Sequence, residues 1–573
     1  MTRRILLAAL LMGVVLWLSP RLFPVPPKPV VRDTAGAPGL TGTDSAAAVP
    51  NVPDTSGKHG TAAMPDSGRA APQAALAGSA TRAETTTVAD TLTRTAFSST
   101  GASVIGVELT QFKSRRKGDA SRVELARAHE PLLSYRLATP RDTVAFDALP
   151  FVVQTTAPSG VARNVEYSAA SPTGTVAIRY SPVANSYLTH VSGTVSGAPD
   201  GTSILVTLPQ GLRSAEADTA DDMNHLAIAY KREPDDAKGI TFHSVDAGEK
   251  KSARGPIVWA VTKSKYFLVA VIAPEKGPLF GDLTVTGGPR STKLATHMRG
   301  VVSVPVKNGV FAFDLYAGPQ EWRRLRAIGR ELDTANPYGG FLQPVVQPFA
   351  TFVMRLLLWI HEKMKLSYGW VLVLFGVAIR LLTWPLNQSA MRTSLKMQRI
   401  QPELAELQRR YKKDPQKLNE EMMKLYKQHG MSPFSSLSGC MPMLIPMPVL
   451  FALFFVFQNT IEFRGVPFLW LPDISLRDPL YILPVLMGLS MFLLSWIGMR
   501  NSPPNPQAKM MAYLMPVVMT AIFFRFPSGL NLYYTVQNMV TLPQQWLLSK
   551  ERARTAVTTP VTPPANGRRR TAT

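Results

Sequence analysis

The chain has 573 residues, too many for one ordinary core, and its 46% hydrophobic content is uneven, with most of the long apolar runs after residue 350. A net charge of +23, from 62 Lys and Arg against 39 Asp and Glu, does not imply nucleic acid here. The later basic residues flank apolar segments, where the bias of Lys and Arg toward the cytoplasmic side of a membrane accounts for them. The single cysteine, Cys440, excludes an intrachain disulfide.

Arg3 and Arg4 precede an apolar run from Ile5 to Leu18, short for a spanning helix and similar in length to a signal-peptide core. No small-x-small cleavage site follows directly, and Pro20, Pro24, Pro26 and Pro27 disfavour a peptidase, so residues 1–24 are read as an uncleaved transmembrane anchor. Residues 25–90 are rich in Pro, Ala, Ser and Thr, cannot bury a core, and are read as a disordered linker. From 91 to 322, runs such as GTVAIRYSPV, TSILVTLPQGL and GPIVWAVTKSKYFLVAVIAP combine β-branched and aromatic residues with Gly and Pro punctuation, predicting an extracytoplasmic antiparallel β-sandwich. Its histidines lack metal-ligand spacing, and neither a phosphate-binding Gly-rich loop nor a serine nucleophile motif is present. The reading is an interaction domain, not an enzyme, with no cofactor and no metal.

After a short charged helix, residues 345–366 place Phe349, Phe352, Val353, Leu356 and Ile360 among Arg355, Glu362 and Lys363, the pattern of an amphipathic helix lying in the membrane interface. Residues 367–548 hold five apolar segments: Gly369 to Leu386, then roughly Met441 to Phe457, Leu480 to Ile497, Ala508 to Phe524 and Leu530 to Leu548. With the N-terminal anchor they make six expected spans. Between the second and third spans, residues 389–430 carry ten Lys or Arg against five acidic residues, and the tail 549–573 is basic, which puts both in the cytoplasm. The loop from Ile461 to Pro479, with two basic and three acidic residues, falls on the other side together with the β domain.

In 389–430, Ile400, Leu404, Leu407 and Tyr411 step by four, three and four, Asp414-Pro415 interrupts, and Leu418, Met422 and Leu425 resume the rhythm, predicting an antiparallel helical hairpin. Arg409, Arg410, Lys412 and Lys413 crowd its other faces, either as a solvated surface or as a docking face for lipid headgroups or a ribosome. Arg380 sits inside the apolar segment GWVLVLFGVAIRLLTWPL, where an ionised guanidinium costs at least about 2.5–3.5 kcal/mol on insertion scales. In the last segment, Tyr534, Gln537, Asn538 and Thr541 fall at i, i+3, i+4 and i+7, a polar stripe facing protein or water. Pro442, Pro446, Pro448 and Pro516 each remove a backbone donor from a span. Arg380 is therefore expected in a hydrated cavity among these helices, or else pinning them as a structural clamp.

The ordered series GWVLVLFGVAIRLLTWPL, LKMQRIQPELAELQRRYKKDPQKLNEEMMKLYKQHGMSPFSSLSGCMPMLIPMPVLFALF, DPLYILPVLMGLSMF and LMPVVMTAIFFRFPSGLNLYYTVQN resembles the YidC family of membrane protein insertases. IVWAVTKSKYFLVAVIAP and FDLYAGPQEW resemble the large periplasmic domain of its Gram-negative members, so the likeness runs from about 95 to 548. The resemblance implies a multi-pass protein of the cell inner membrane whose five core spans surround a hydrophilic groove, with Arg380 as groove arginine and Tyr534 at a substrate-contact position. It also implies nascent membrane proteins as substrates, membrane lipids, the Sec translocon and a ribosome or targeting machinery as partners, and no ATP hydrolysis. Pro446 and Gly376 depart from the family, standing where many relatives have Gln and some a hydroxyl residue, and Arg525 stands where relatives tend to be apolar. A secondary transporter or channel is the rival reading, opposed by the lack of a visible repeat and of an intramembrane acid.

Overall fold

The computed structural model describes residues 83–147, 149–156, 164–171, 174–290, 295–336, 343–412, 414–429, 447–500 and 506–557. The expected anchor, nearly all of the linker, Lys413, Cys440, Pro442, Pro446 and most of the tail lie outside them.

Residues 85–319 form antiparallel sheets of four, nine and six strands. In the nine-stranded sheet the adjacent strands Ile257–Lys263 and Phe267–Ile272 are buried on both faces, as continuous apolar sequence demands. In the six-stranded sheet Met298–Pro305 buries every second residue, the signature of one face in a core and one outside. The two sheets face each other: Tyr135 and Tyr180, one from each, bring their hydroxyls to 2.7 Å. The first strand, Thr85–Ala89, begins ahead of residue 91. A short helix, α1 (Thr219–Asn224), and a second, α2 (Trp322–Ile328), complete this region.

The helical region contains α3 (Gln343–Met364), α4 (Tyr368–Arg399), α5 (Gln401–Arg410), α6 (Pro415–Gln428), α7 (Met447–Asn459), α8 (Ile482–Met499), α9 (Pro506–Phe523) and α10 (Ser528–Val557). Its core joins Val353 and Leu357 of α3, Phe375 of α4, Leu453 and Phe457 of α7, Met487 of α8 and Tyr533 of α10. Among the described residues only Tyr368–Pro385 and Ile482–Met499 are long and apolar enough to cross a membrane by length and composition, with shorter apolar stretches at Val449–Asn459 and Lys509–Phe523. This measure reaches two of the six expected spans; the first falls outside the described residues, and α7 starts where they resume. The bundle is also apolar on its outside. Leu381 and Leu382 on α4, Val485 and Leu489 on α8 and Val517 on α9 are all more than half exposed.

The α3 helix is apolar on two sides. Ala350, Val353, Leu357 and Ile360 are buried, while Phe352 and Trp359 are exposed. Helices α5 and α6 pack together around Ile400, Leu404, Met422 and Tyr426. Asp414 caps α6 by accepting from the Lys417 amide at 3.1 Å, with Pro415 in its first turn, and His429 reaches Glu403 across the pair at 3.2 Å.

Candidate substrate groove

Arg380 lies on α4 and faces α10. Its side chain is only 9% exposed, and Nη2 donates to Gln544 Oε1 at 2.6 Å. Arg380 Nε and Gln544 Nε2 are both buried without a hydrogen-bond partner among the described residues. A buried charge on a single neutral side chain is under-satisfied, because the buried Nε retains the cost of leaving water. Such an arrangement can accept a transient anion or a carbonyl.

The four residues of the expected stripe do not share one partner. Gln537 turns toward α4, donating from Nε2 to the Gly376 carbonyl and to the Tyr533 hydroxyl, each at 3.1 Å. Asn538 turns toward α8, with Nδ2 3.0 Å from Ser490 Oγ. Tyr534 packs its ring against Phe523 of α9 at 5.1 Å between centroids, and Thr541 donates back to the Gln537 carbonyl at 2.6 Å. The reason is geometric: α10 is wedged between α4 and α8, and the consecutive Gln537 and Asn538, about 100° apart around the helix, reach different neighbours. The side that meets Arg380 is Gln537 with Gln544. Gln544 escaped the sequence reading although it lies seven residues beyond Gln537, so the helical period continued one turn past Thr541 reaches it.

Gly376 has a packing reason. A Cβ there would meet Val536 Cγ1 at 3.2 Å, tighter than most real contacts, so the missing side chain lets α4 and α10 approach. Arg409, Arg410 and Lys412 are exposed on α5 and the turn that follows.

The far end of the bundle is held against the β region by residues 460–478. Ile461 is buried in the β core itself. Arg464 donates from Nε to both carboxylate oxygens of Glu216, at 2.8 and 3.0 Å, and from Nη2 to the Lys113 carbonyl at 3.0 Å. Both side chains of the pair are nearly inaccessible, and burial pushes the Glu216 carboxyl up to about 7, with the Arg464 charge opposing it. Asp473 accepts from the Gly465 and Ser475 amides, each at 2.8 Å, and Asp478 accepts from the Leu483 amide at the start of α8 at 2.7 Å.

Comparison with known proteins gives matches along nearly the whole described chain. Residues 85–352 match the model of the YidC periplasmic domain, and residues 359–555 match that of the 60Kd inner membrane protein. A membrane protein insertase YidC of Anaeromyxobacter sp. (strain Fw109-5) is 34% identical over 312 residues, 53% of this chain and 54% of its own length. One from Syntrophus aciditrophicus is 33% identical over 319 residues, covering 55% of this chain and 56% of that one. The chain thus spans about half the length of the curated relatives it matches. Among solved structures, an active YidC insertase with its first transmembrane domain resolved is 18% identical at a TM-score of 0.33, over 81% of this chain and 93% of that one. YidC from Thermotoga maritima is 15% identical at 0.30, over 80% and 97%. With one family model on the β region and another on the helical region, in consecutive order, the chain belongs to the YidC family.

Proposed function

We propose that this protein is a membrane protein insertase and chaperone that moves transmembrane segments of newly made proteins into the bilayer through a polar groove between α4 and α10, without ATP. The observation that carries this reading is Arg380: a buried, incompletely paired cation on a helix whose outer face is exposed and apolar. A polar path part way into the bilayer shortens the apolar distance that a polar extracellular segment must cross. The incoming helix gains about 25 cal/mol per Å² of apolar surface that leaves water. An acidic residue of the translocating segment is attracted to Arg380 and released once past it.

In this reading the chain crosses the inner membrane six times, its core spans surround the groove, and the β region lies in the periplasm. The α5–α6 hairpin is cytoplasmic, and Arg409, Arg410, Lys412 and Lys413 form its docking face for a ribosome or targeting machinery. Arg380, Gln537 and Gln544 line the groove, with Tyr534, Asn538 and Thr541 along the same helix. Nascent membrane proteins are the substrates, with the Sec translocon as an alternative route of delivery. The test is insertion of a dependent substrate into vesicles holding the purified protein, combined with photocrosslinking from positions 376 and 537. Crosslinks to the nascent segment that disappear on release of the chain support the groove. Efficient insertion with crosslinks only at the exposed face of α8 would refute it.

A further inference from the structure

Where α2, α3, the end of α7 and the following turn meet, the chain forms an open cavity of about 50 Å³ that the insertion reading does not use. One water needs roughly 10–15 Å³, so the space accepts a small group such as an ethylammonium. Its polar lining is rich in acceptors. Gln320 is only 5% exposed and spends its amide nitrogen on the Ser264 and Phe267 carbonyls, which leaves Oε1 buried without a partner. Glu462 Oε2 is likewise buried and unpartnered. Asp333, Asn336 and Asn459 line the cavity too, Asn336 Nδ2 donating to Asn459 Oδ1 at 2.8 Å, and Gln347, Thr351 and Thr460 are the other polar side chains of the lining. Among the described residues no Lys or Arg lines the cavity, and Arg323 beside it is engaged by Glu362 on α3. Two orphaned acceptors and a carboxylate without a direct counter-charge call for a ligand that brings several N–H donors and a positive charge.

The rim carries the opposite sign. Trp322 lines the cavity, and its ring is covered by two guanidiniums, Arg355 at 4.4 Å and Arg326 at 5.1 Å from the centroid. Both arginines are exposed, and neither forms an ion pair among the described residues. Next to them, the outer face of α3 exposes Phe349, Phe352 and Trp359 at the spacing of one helical stripe. Acceptors inside, guanidiniums at the mouth and an apolar stripe beyond match, in order, an ammonium, a phosphate and acyl chains. We propose that this junction binds a phospholipid whose headgroup carries a primary ammonium, the amine seated among Gln320, Glu462 and Asp333 and the phosphate on Arg326 and Arg355. The site ties the β region to the bilayer surface through the lipid as well as through the chain.

The inference rests on the membrane reading above, and its test reads lipid binding alone. The full-length protein, stripped in detergent and offered an equimolar mixture of phosphatidylethanolamine and phosphatidylcholine, is examined by native mass spectrometry. The two lipids share the phosphate, but the choline ammonium has no N–H to donate. Several-fold preference for phosphatidylethanolamine is expected. Glu462→Gln should bring the ratio close to one without loss of total lipid, and Arg355→Ala, on an exposed side chain, should lower retention of both. Equal retention by the unaltered protein, or an unchanged preference in Glu462→Gln, would overturn the proposal. Binding of free ethanolamine with the bound lipid count unaffected would assign the site to a soluble amine and refute the lipid. Failure to retain either phospholipid would count against the membrane reading itself.

Discussion

Arg380 has one side-chain hydrogen-bond partner among the described residues, and this makes Gln544 the residue through which it is tuned. Gln544→Leu leaves the guanidinium unpaired, a loss of about 1–3 kcal/mol that should appear as lower accumulation and a lower melting temperature in detergent. Gln544→Glu supplies a fixed anion in place of the amide oxygen that now accepts at 2.6 Å, so thermal stability should rise while insertion of acidic segments falls, the substrate's own carboxylate now being outcompeted. Under the groove reading, Arg380→Lys retains most insertion in the vesicle assay, because a cation on a long stem remains, whereas Arg380→Ala fails for acidic extracellular segments. Equal failure of both would make Arg380 a clamp whose fixed fork of donors matters. The sequence disclosed Arg380 because a charge in an apolar run is conspicuous without any partner. It disclosed a polar stripe as well, but not its division among α4, α8 and α9, which depends on how closely each neighbour approaches. That approach is set by small residues such as Gly376, whose side is unreadable until the facing Val536 is known.

Two elements outside the apolar bundle carry separable predictions. In the α5–α6 hairpin, Asp414→Ala removes the α6 cap and should cost about 1 kcal/mol, seen as faster amide exchange at Lys417 and its neighbours. Replacing Arg409, Arg410 and Lys412 with Glu should weaken co-sedimentation with ribosomes at physiological salt while leaving the fold unchanged, since these side chains are exposed; unchanged binding would make the face merely solvated. The segment 460–478 is governed by Arg464 and Glu216. Arg464→Ala removes the cation that opposes the rise of the buried Glu216 carboxyl, so local stability should be lost, by up to about 3–5 kcal/mol above neutral pH where the carboxylate is ionised, measurable as amide exchange across the segment. The carboxyls of Glu216 and Glu462, both raised from 4.5 to about 7, bind protons more tightly in the docked state than when released. Their contribution is therefore full below about 4.5 and lost as pH rises through about 7, so protection of this segment relative to the intrinsic amide exchange rate should increase on going from pH 8 to pH 6. The hairpin was legible because its rhythm is local. Glu216 and Arg464 lie 248 residues apart in sequence, and nothing local to either announces the other.

For the molecule as a whole, the topological reading is checked with cysteines introduced into a Cys440→Ser background. Lys412→Cys should resist an impermeant thiol reagent in spheroplasts, and a cysteine in the β region should react. The class of the β region was plain from alternation and β-branched composition, and its strand order was not, because the central pairing joins Phe267–Ile272 to Val310–Pro319 across intervening strands. Deleting residues 91–310 should preserve substantial insertion, yet the remaining core keeps Ile461 and Arg464 shaped for a surface that is gone. That contact also bears on biogenesis. In the order of synthesis, the strands that bury Glu216 leave the ribosome well before the segment bearing Arg464, so the β region is complete while its pocket still lacks a cation. The later segment arrives at a surface already formed, and the outer end of the bundle is closed by templating on an older neighbour instead of by searching for its own arrangement.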